Sequence, residues 1–111
     1  MDITFRTSKT ARTFNSARLL QRVYGPRMAK VIMIRLATLK AAETLEQVPT
    51  TPPDRCHQLR GDRDEQYAVN LVYPYRLIFE PNHNPIPRKE DGGIDAKKVS
   101  AITIIEVIDY H

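Results

Sequence analysis

Residues 56–80 read CHQLRGDRDEQYAVNLVYPYRLIFE. Three runs within this stretch, CHQLR (56–60), YAVNLV (67–72) and YRLIFE (75–80), have the β-branched, aromatic and apolar content of short strands. GDRDEQ separates the first two, and little more than Tyr73 and Pro74 separates the last two. The chain therefore doubles back twice, which predicts a meander of antiparallel strands. The rest of the molecule has to pack against it.

Upstream, VPTTPPD (48–54) holds three prolines in seven residues and cannot continue a helix. Before it, from Pro26, the apolar residues Met28, Val31, Ile32, Leu36, Leu39, Ala42 and Leu45 recur at helical spacing, with Arg27, Lys30 and Lys40 off that face. This predicts the core helix. An earlier helix starts at Thr7 or Ser8 as cap and runs to VYG, where Gly25 ends it and Pro26 opens its successor. DITFRTS (2–8) alternates Ile3 and Phe5 with polar residues, as a first strand does.

Downstream, residues 81–98, PNHNPIPRKEDGGIDAKK, are rich in proline, glycine and charge and predict a long exposed loop. VSAITIIEVIDY (99–110) then predicts a buried last strand. The expected fold is α+β in the order β-α-α-β-β-β-β: an N-terminal strand and two helices packed on a mostly antiparallel sheet. The 111 residues suit one domain spanning 1–111.

The net charge of +4 hides an asymmetry. Through residue 40 there are nine basic residues against Asp2 alone, and thereafter eight basic against twelve acidic. The first part therefore suits a polyanionic partner, although a solvated helix face explains the same charges. The single cysteine, Cys56, forms no disulfide framework. With neither a leader pattern nor a membrane-length apolar run, a cytoplasmic location and no membrane partner are expected.

Three pieces of the sequence carry chemistry. They are His57, Leu59, Arg60, Gly61, Asp62 and Arg63; then Tyr75, Arg76, Leu77 and Phe79; and finally Asp109, Tyr110 and His111. In this order they resemble the HigB branch of the RelE/ParE toxin superfamily, the host-inhibition or plasmid-maintenance killer proteins. The resemblance implies a RelE-like fold and a ribosome-dependent endoribonuclease that cleaves messenger RNA in the A site without a cofactor. It also implies silencing by a helix-turn-helix antitoxin of the HigA type, with operator DNA reached only through that complex. Two departures stand out. Glu65 replaces a glycine usual in the family, which would strain a turn needing positive φ and brings a negative charge near Arg63. The loop at 81–98 is also longer than in compact members.

Cleaving RNA without a metal needs a base for the ribose 2′-OH, cations on the phosphate, and an acid for the leaving 5′-oxygen. His57 and His111 suit the proton-transfer pair, Asp109 their partner, and Tyr110 a substrate platform. Arg76, Arg60 and Arg63 present forked donors to phosphate. Arg18, Arg22, Arg27 and Lys30 on the first helices would grip ribosomal RNA. If CHQLR pairs beside the last strand, His57 faces the terminal triplet. The α-carboxylate that His111 would carry favours its imidazolium form, so a C-terminal tag is expected to weaken cleavage. The histidines at 57, 83 and 111 lack metal-ligand spacing, and His83, among prolines, is expected to be inert.

Plainer readings compete. A lone strand histidine is more often structural than catalytic, and Arg76 can simply bind a carboxylate. At the level of function, the alternatives are a gyrase-poisoning ParE-like toxin and a catalytically weak regulator that binds nucleic acid or a partner protein.

Overall fold

The computed structural model describes residues 1–109. Its strands are β1 (Asp2–Phe5), β2 (His57–Gln58), β3 (Tyr67–Asn70), β4 (Tyr75–Pro81) and β5 (Ala101–Asp109). Its helices are α1 (Ser8–Phe14), α2 (Ala17–Tyr24) and α3 (Pro26–Ala41), with 3-10 turns at Leu45–Gln47, Gly61–Arg63 and Ala96–Lys98. The architecture is α+β, with a five-stranded sheet in the order β1-β5-β4-β3-β2. Only β1 and β5 pair in parallel; the other neighbours are antiparallel.

The expected first helix is two helices. Thr7 caps α1 by accepting from the Thr10 amide at 3.1 Å, and Ser16 caps α2 by accepting from Leu19 at 3.2 Å. A second capping hydroxyl inside the segment satisfies a fresh set of helix amides, so the chain bends there and restarts. Gly25, at φ 83°, then turns the corner and Pro26 opens α3 as expected. That helix ends at Ala41, ahead of the prolines. Ala42 and Leu45 are still buried, but from the turns that follow.

Side chains from the two sheet faces build two unequal cores. Val69, Leu71, Leu77, Phe79, Ile102 and Ile104 pack with Leu20, Ile32 and Leu39 of the helices, and Tyr67 stacks on Phe79 with ring centroids 5.9 Å apart. The opposite face carries only Leu59, Ala68, Ile78 and Ile105, with Ile108 against them. A bulge sets this division. Ile78 pairs with Glu106 while Phe79 pairs with Ile104, so Ile105 is the extra residue and the inside-outside alternation shifts by one. Ile104 and Val107 thus both serve the larger core, although they stand an odd three positions apart.

Two expectations are corrected here. CHQLR contributes only a two-residue edge strand that pairs with β3, so β3 and β4 lie between His57 and the last strand. Residues 82–100 are also more than an exposed loop. Ile94 and Val99 are buried, Arg88 and Ile94 form a β-bridge, and the Asp95 amide donates to Pro87 at 2.9 Å. The glycines and prolines make a small folded appendage with an apolar underside. His83 belongs to it, accepting from the Ser100 amide at 3.1 Å. No helix among the described residues is long and apolar enough to cross a membrane.

Candidate functional site

His57, Asn70 and Arg76 meet on the thinly covered sheet face. His57 pairs with Ala68 across β2 and β3, while Asn70 pairs with Arg76 across β3 and β4. Residues two apart on a strand share a face, so Ala68 and Asn70 bring their partners to one side. The Pro-rich segment after α3 borders the same place. Together they form a cleft of about 350 Å³ lined by Thr50, Arg55, His57, Asn70, Tyr73 and Arg76.

The imidazole is held at both nitrogens. Nδ1 of His57 lies 2.8 Å from the Arg55 carbonyl oxygen, and Nε2 lies 3.3 Å from a guanidinium nitrogen of Arg76. A carbonyl can only accept and a guanidinium can only donate. Both contacts are therefore satisfied by the neutral ring with its proton on Nδ1, which leaves the Nε2 lone pair toward the cleft cation. That is the state a general base needs.

Arg55 comes to this position in a left-handed conformation, φ 48°, and is the only non-glycine with positive φ among the described residues. Such a backbone costs an L-residue roughly 1–2 kcal/mol, and it aims the carbonyl at His57. Tyr73, at the turn between β3 and β4, is 85% exposed and offers a flat aromatic surface at the cleft rim. Asn70 Oδ1 is buried beneath the cleft and accepts no hydrogen bond from the described residues. Sequence reading passed over Arg55, Asn70, Tyr73 and Thr50. No periodicity marks them, and the one local signal was the proline cluster that shapes the segment before His57.

The remaining predicted residues divide. Asp109 pairs with Tyr75 and Ile108 with Arg76, so the last strand ends beside the cleft strands but Asp109 falls on the sheet face opposite the His57–Arg76 contact. Tyr110 and His111 lie outside the described residues. Arg60 and Arg63 follow β2 away from Arg76 and do not line the cleft. Arg63 is paired with Glu106 at 3.2 Å and donates to Gln66 at 2.8 Å. Arg18, Arg22, Arg27 and Lys30 are all exposed. Arg27 borders a shallow hollow of about 310 Å³ where the α2–α3 corner meets Val72. Val72 precedes Tyr73, so part of the basic helix surface reaches the end of the molecule that carries the cleft.

Glu65 does not occupy a left-handed position; Gly61, at φ 66°, does. The anticipated strain is therefore absent, and the glutamate forms an ion pair with Arg88 of the folded appendage. Cys56 is buried, and burial followed by the nearby Asp54 charge pushes its thiol up to about 12. It is poorly suited to act as a nucleophile. Among the described residues no three His, Cys, Asp or Glu side chains cluster as metal ligands would.

No family model matches the sequence, and no curated protein does. Among solved structures, the chain is similar to a YoeB/ParE toxin from Agrobacterium tumefaciens, at a TM-score of 0.52 and 12% identity over 100% of both chains. At that identity the likeness is one of fold, and it agrees with the RelE-like α+β architecture expected from the sequence.

Proposed function

We propose that this protein is the toxin of a toxin-antitoxin pair and acts as a ribosome-dependent endoribonuclease on messenger RNA. The observation that carries the reading is the His57–Arg76 contact in an open cleft. An imidazole whose Nε2 lone pair accepts from a guanidinium becomes a free base once that guanidinium turns to a phosphate, the minimum for moving a proton from a 2′-OH while the phosphate gains charge. The likeness to a YoeB/ParE toxin supports the toxin class, and the three sequence pieces support the HigB branch.

In this reading Nε2 of His57 takes the 2′-OH proton. Arg76 and Arg55 bind the phosphate oxygens as the 2′-oxygen attacks phosphorus, and Tyr73 stacks on a neighbouring base. The leaving 5′-oxygen takes a proton from the terminal triplet, with His111 the candidate acid, Asp109 its partner and Tyr110 a substrate platform. The products are a 2′,3′-cyclic phosphate and a 5′-hydroxyl, so no metal or cofactor enters the balance. Arg60 and Arg63 fit ribosome contact better than the scissile phosphate, together with Arg18, Arg22, Arg27 and Lys30. A helix-turn-helix antitoxin of the HigA type would cover the cleft, and the site of action is the cytoplasm.

The test is cleavage of an mRNA positioned on purified ribosomes, with ribosome-free and His57→Ala controls. Cuts in the A-site codon that require both ribosome and His57 are expected. The structurally similar protein is a YoeB/ParE toxin, and the ParE side of that pair keeps gyrase poisoning as a second reading. Growth inhibition that survives His57→Ala, with no cut RNA, would favour it.

A further inference from the structure

We propose that Arg35, buried in the core helix α3, is a positioning residue that fixes the tautomer of His57. Arg35 is 8% exposed, on the side of α3 that packs inward. Its Nε donates to the Asn70 carbonyl at 2.7 Å, and its guanidinium reaches the Pro53 carbonyl at 3.5 Å. The Asn70 amide donates in turn to the Asp54 carbonyl at 2.8 Å. The end of β3 is thus gripped from both sides, and the 53–54 segment is bound to it.

Arg55 follows directly. A left-handed non-glycine persists where its surroundings over-determine it. Here the Arg55 amide donates to Thr51 at 3.0 Å, the Cys56 amide donates to Pro49 at 3.0 Å, and Arg35 holds the residues just before. The result is a carbonyl aimed at Nδ1 of His57. One buried cation therefore links the core helix, the floor of the cleft at Asn70, and the segment that orients the imidazole.

Packing alone does not call for an arginine here. A methionine would fill a similar space on a helix face without the desolvation of a charge, which buried polar contacts offset only when geometry is good. Arg35 uses its fork on main-chain carbonyls in two separate segments. That bridging is what a lysine, with one compact ammonium, reproduces least well.

The proposal rests on His57 being the proton acceptor of the cleavage reading, but its main test does not require cleavage. The full chain is labelled with ¹⁵N-histidine, and the His57 tautomer is read by NMR at a pH where the ring is neutral. Wild-type protein should show the Nδ1–H form. Arg35→Lys, with folding checked by its amide spectrum, should show a mixture with Nε2–H, and kcat on ribosomes should fall about a hundredfold with little change in KM. An Nε2–H wild type would overturn the proposal, as would an unchanged tautomer in folded Arg35→Lys. Should that variant fail to fold, Arg55→Pro on the exposed segment replaces it. Proline cannot adopt φ 48° and should release the Nδ1 contact, so an unchanged tautomer there is equally fatal. Tautomer switching in a protein that cuts no RNA would instead sink the cleavage reading and leave the positioning role standing.

Discussion

His57 Nε2 and the Arg76 guanidinium lie 3.3 Å apart although β3 separates their strands, because Asn70 pairs with Arg76 while its neighbour two residues away pairs with His57. Under the proposed function both groups act on one phosphate and should not contribute independently. His57→Ala and Arg76→Ala are each expected to lower on-ribosome cleavage by about 10²–10⁴-fold, and the double variant by much less than the product. A double-mutant cycle on kcat/KM checks this; multiplicative losses would place the two side chains in separate tasks.

Arg55 should trade stability for activity. Arg55→Gly removes the steric cost of φ 48° and is expected to raise unfolding stability by up to about 1 kcal/mol. The same change removes a cation from the cleft, and under the proposed function it should weaken binding of a non-cleavable single-stranded RNA. Urea midpoints and fluorescence anisotropy read the two effects. A variant that is less stable than wild type would contradict the strain argument.

The Glu65–Arg88 pair should matter little for either property. Both side chains are substantially exposed, so screening by water keeps the pair within about 0.5 kcal/mol. It also lies toward the far end of β4 from Arg76. Glu65→Ala is therefore expected to cut RNA as well as wild type and to keep its melting temperature within a few degrees. A large loss of activity would give the appendage a role in the site.

Cys56 makes the protein sensitive to alkali. Its folded-state value of about 12 lies above the ordinary thiol value of 9.0, so between those limits the unfolded chain loses the proton and the folded chain keeps it. The folded state then binds more protons, and stability falls as pH rises. The loss has an upper limit of about 1.4 kcal/mol per pH unit and begins near pH 9. Burial raises Tyr67 as well, which adds to the trend at higher pH. Cys56→Val should flatten the dependence between pH 9 and 11, as measured by denaturant midpoints. An identical slope would assign the effect elsewhere.

The basic helix surface should act through charge. Reversing Arg22 and Arg27 is expected to weaken ribosome binding and to make its salt dependence shallower. Binding measured across a salt series tests this, and an unaltered slope would return these side chains to the status of a solvated face.

What the sequence revealed was mostly local. The Thr7 cap, the Gly25-Pro26 corner and the alternation of Ile3 and Phe5 with polar residues in β1 each depend on neighbours within a few residues, and each is found where it was expected. The Ser16 cap was equally local: a serine stands three residues before Leu19 and opens an apolar run. Strand order was not legible, because no neighbouring residue says that β5 sits between β1 and β4. This is why a pairing of CHQLR beside the last strand stayed open in the sequence, when His57 instead meets Arg76 of β4 across β3. Arg55 and Tyr73 escaped for a related reason. Their importance comes from a backbone angle and a rim position, neither of which has a compositional signature.

The parallel pairing of β1 with β5 joins Asp2 to Ala101 and Phe5 to Ile104. Contacts so distant along the chain form late, after the loop between them has been closed. During synthesis the inner position of the sheet stays empty until residues 101–109 have been made, leaving β1 and β4 without the strand that joins them. The strand that bears Arg76 gains its second neighbour only when β5 docks, so the cleft strands are the last part of the sheet to be locked in place.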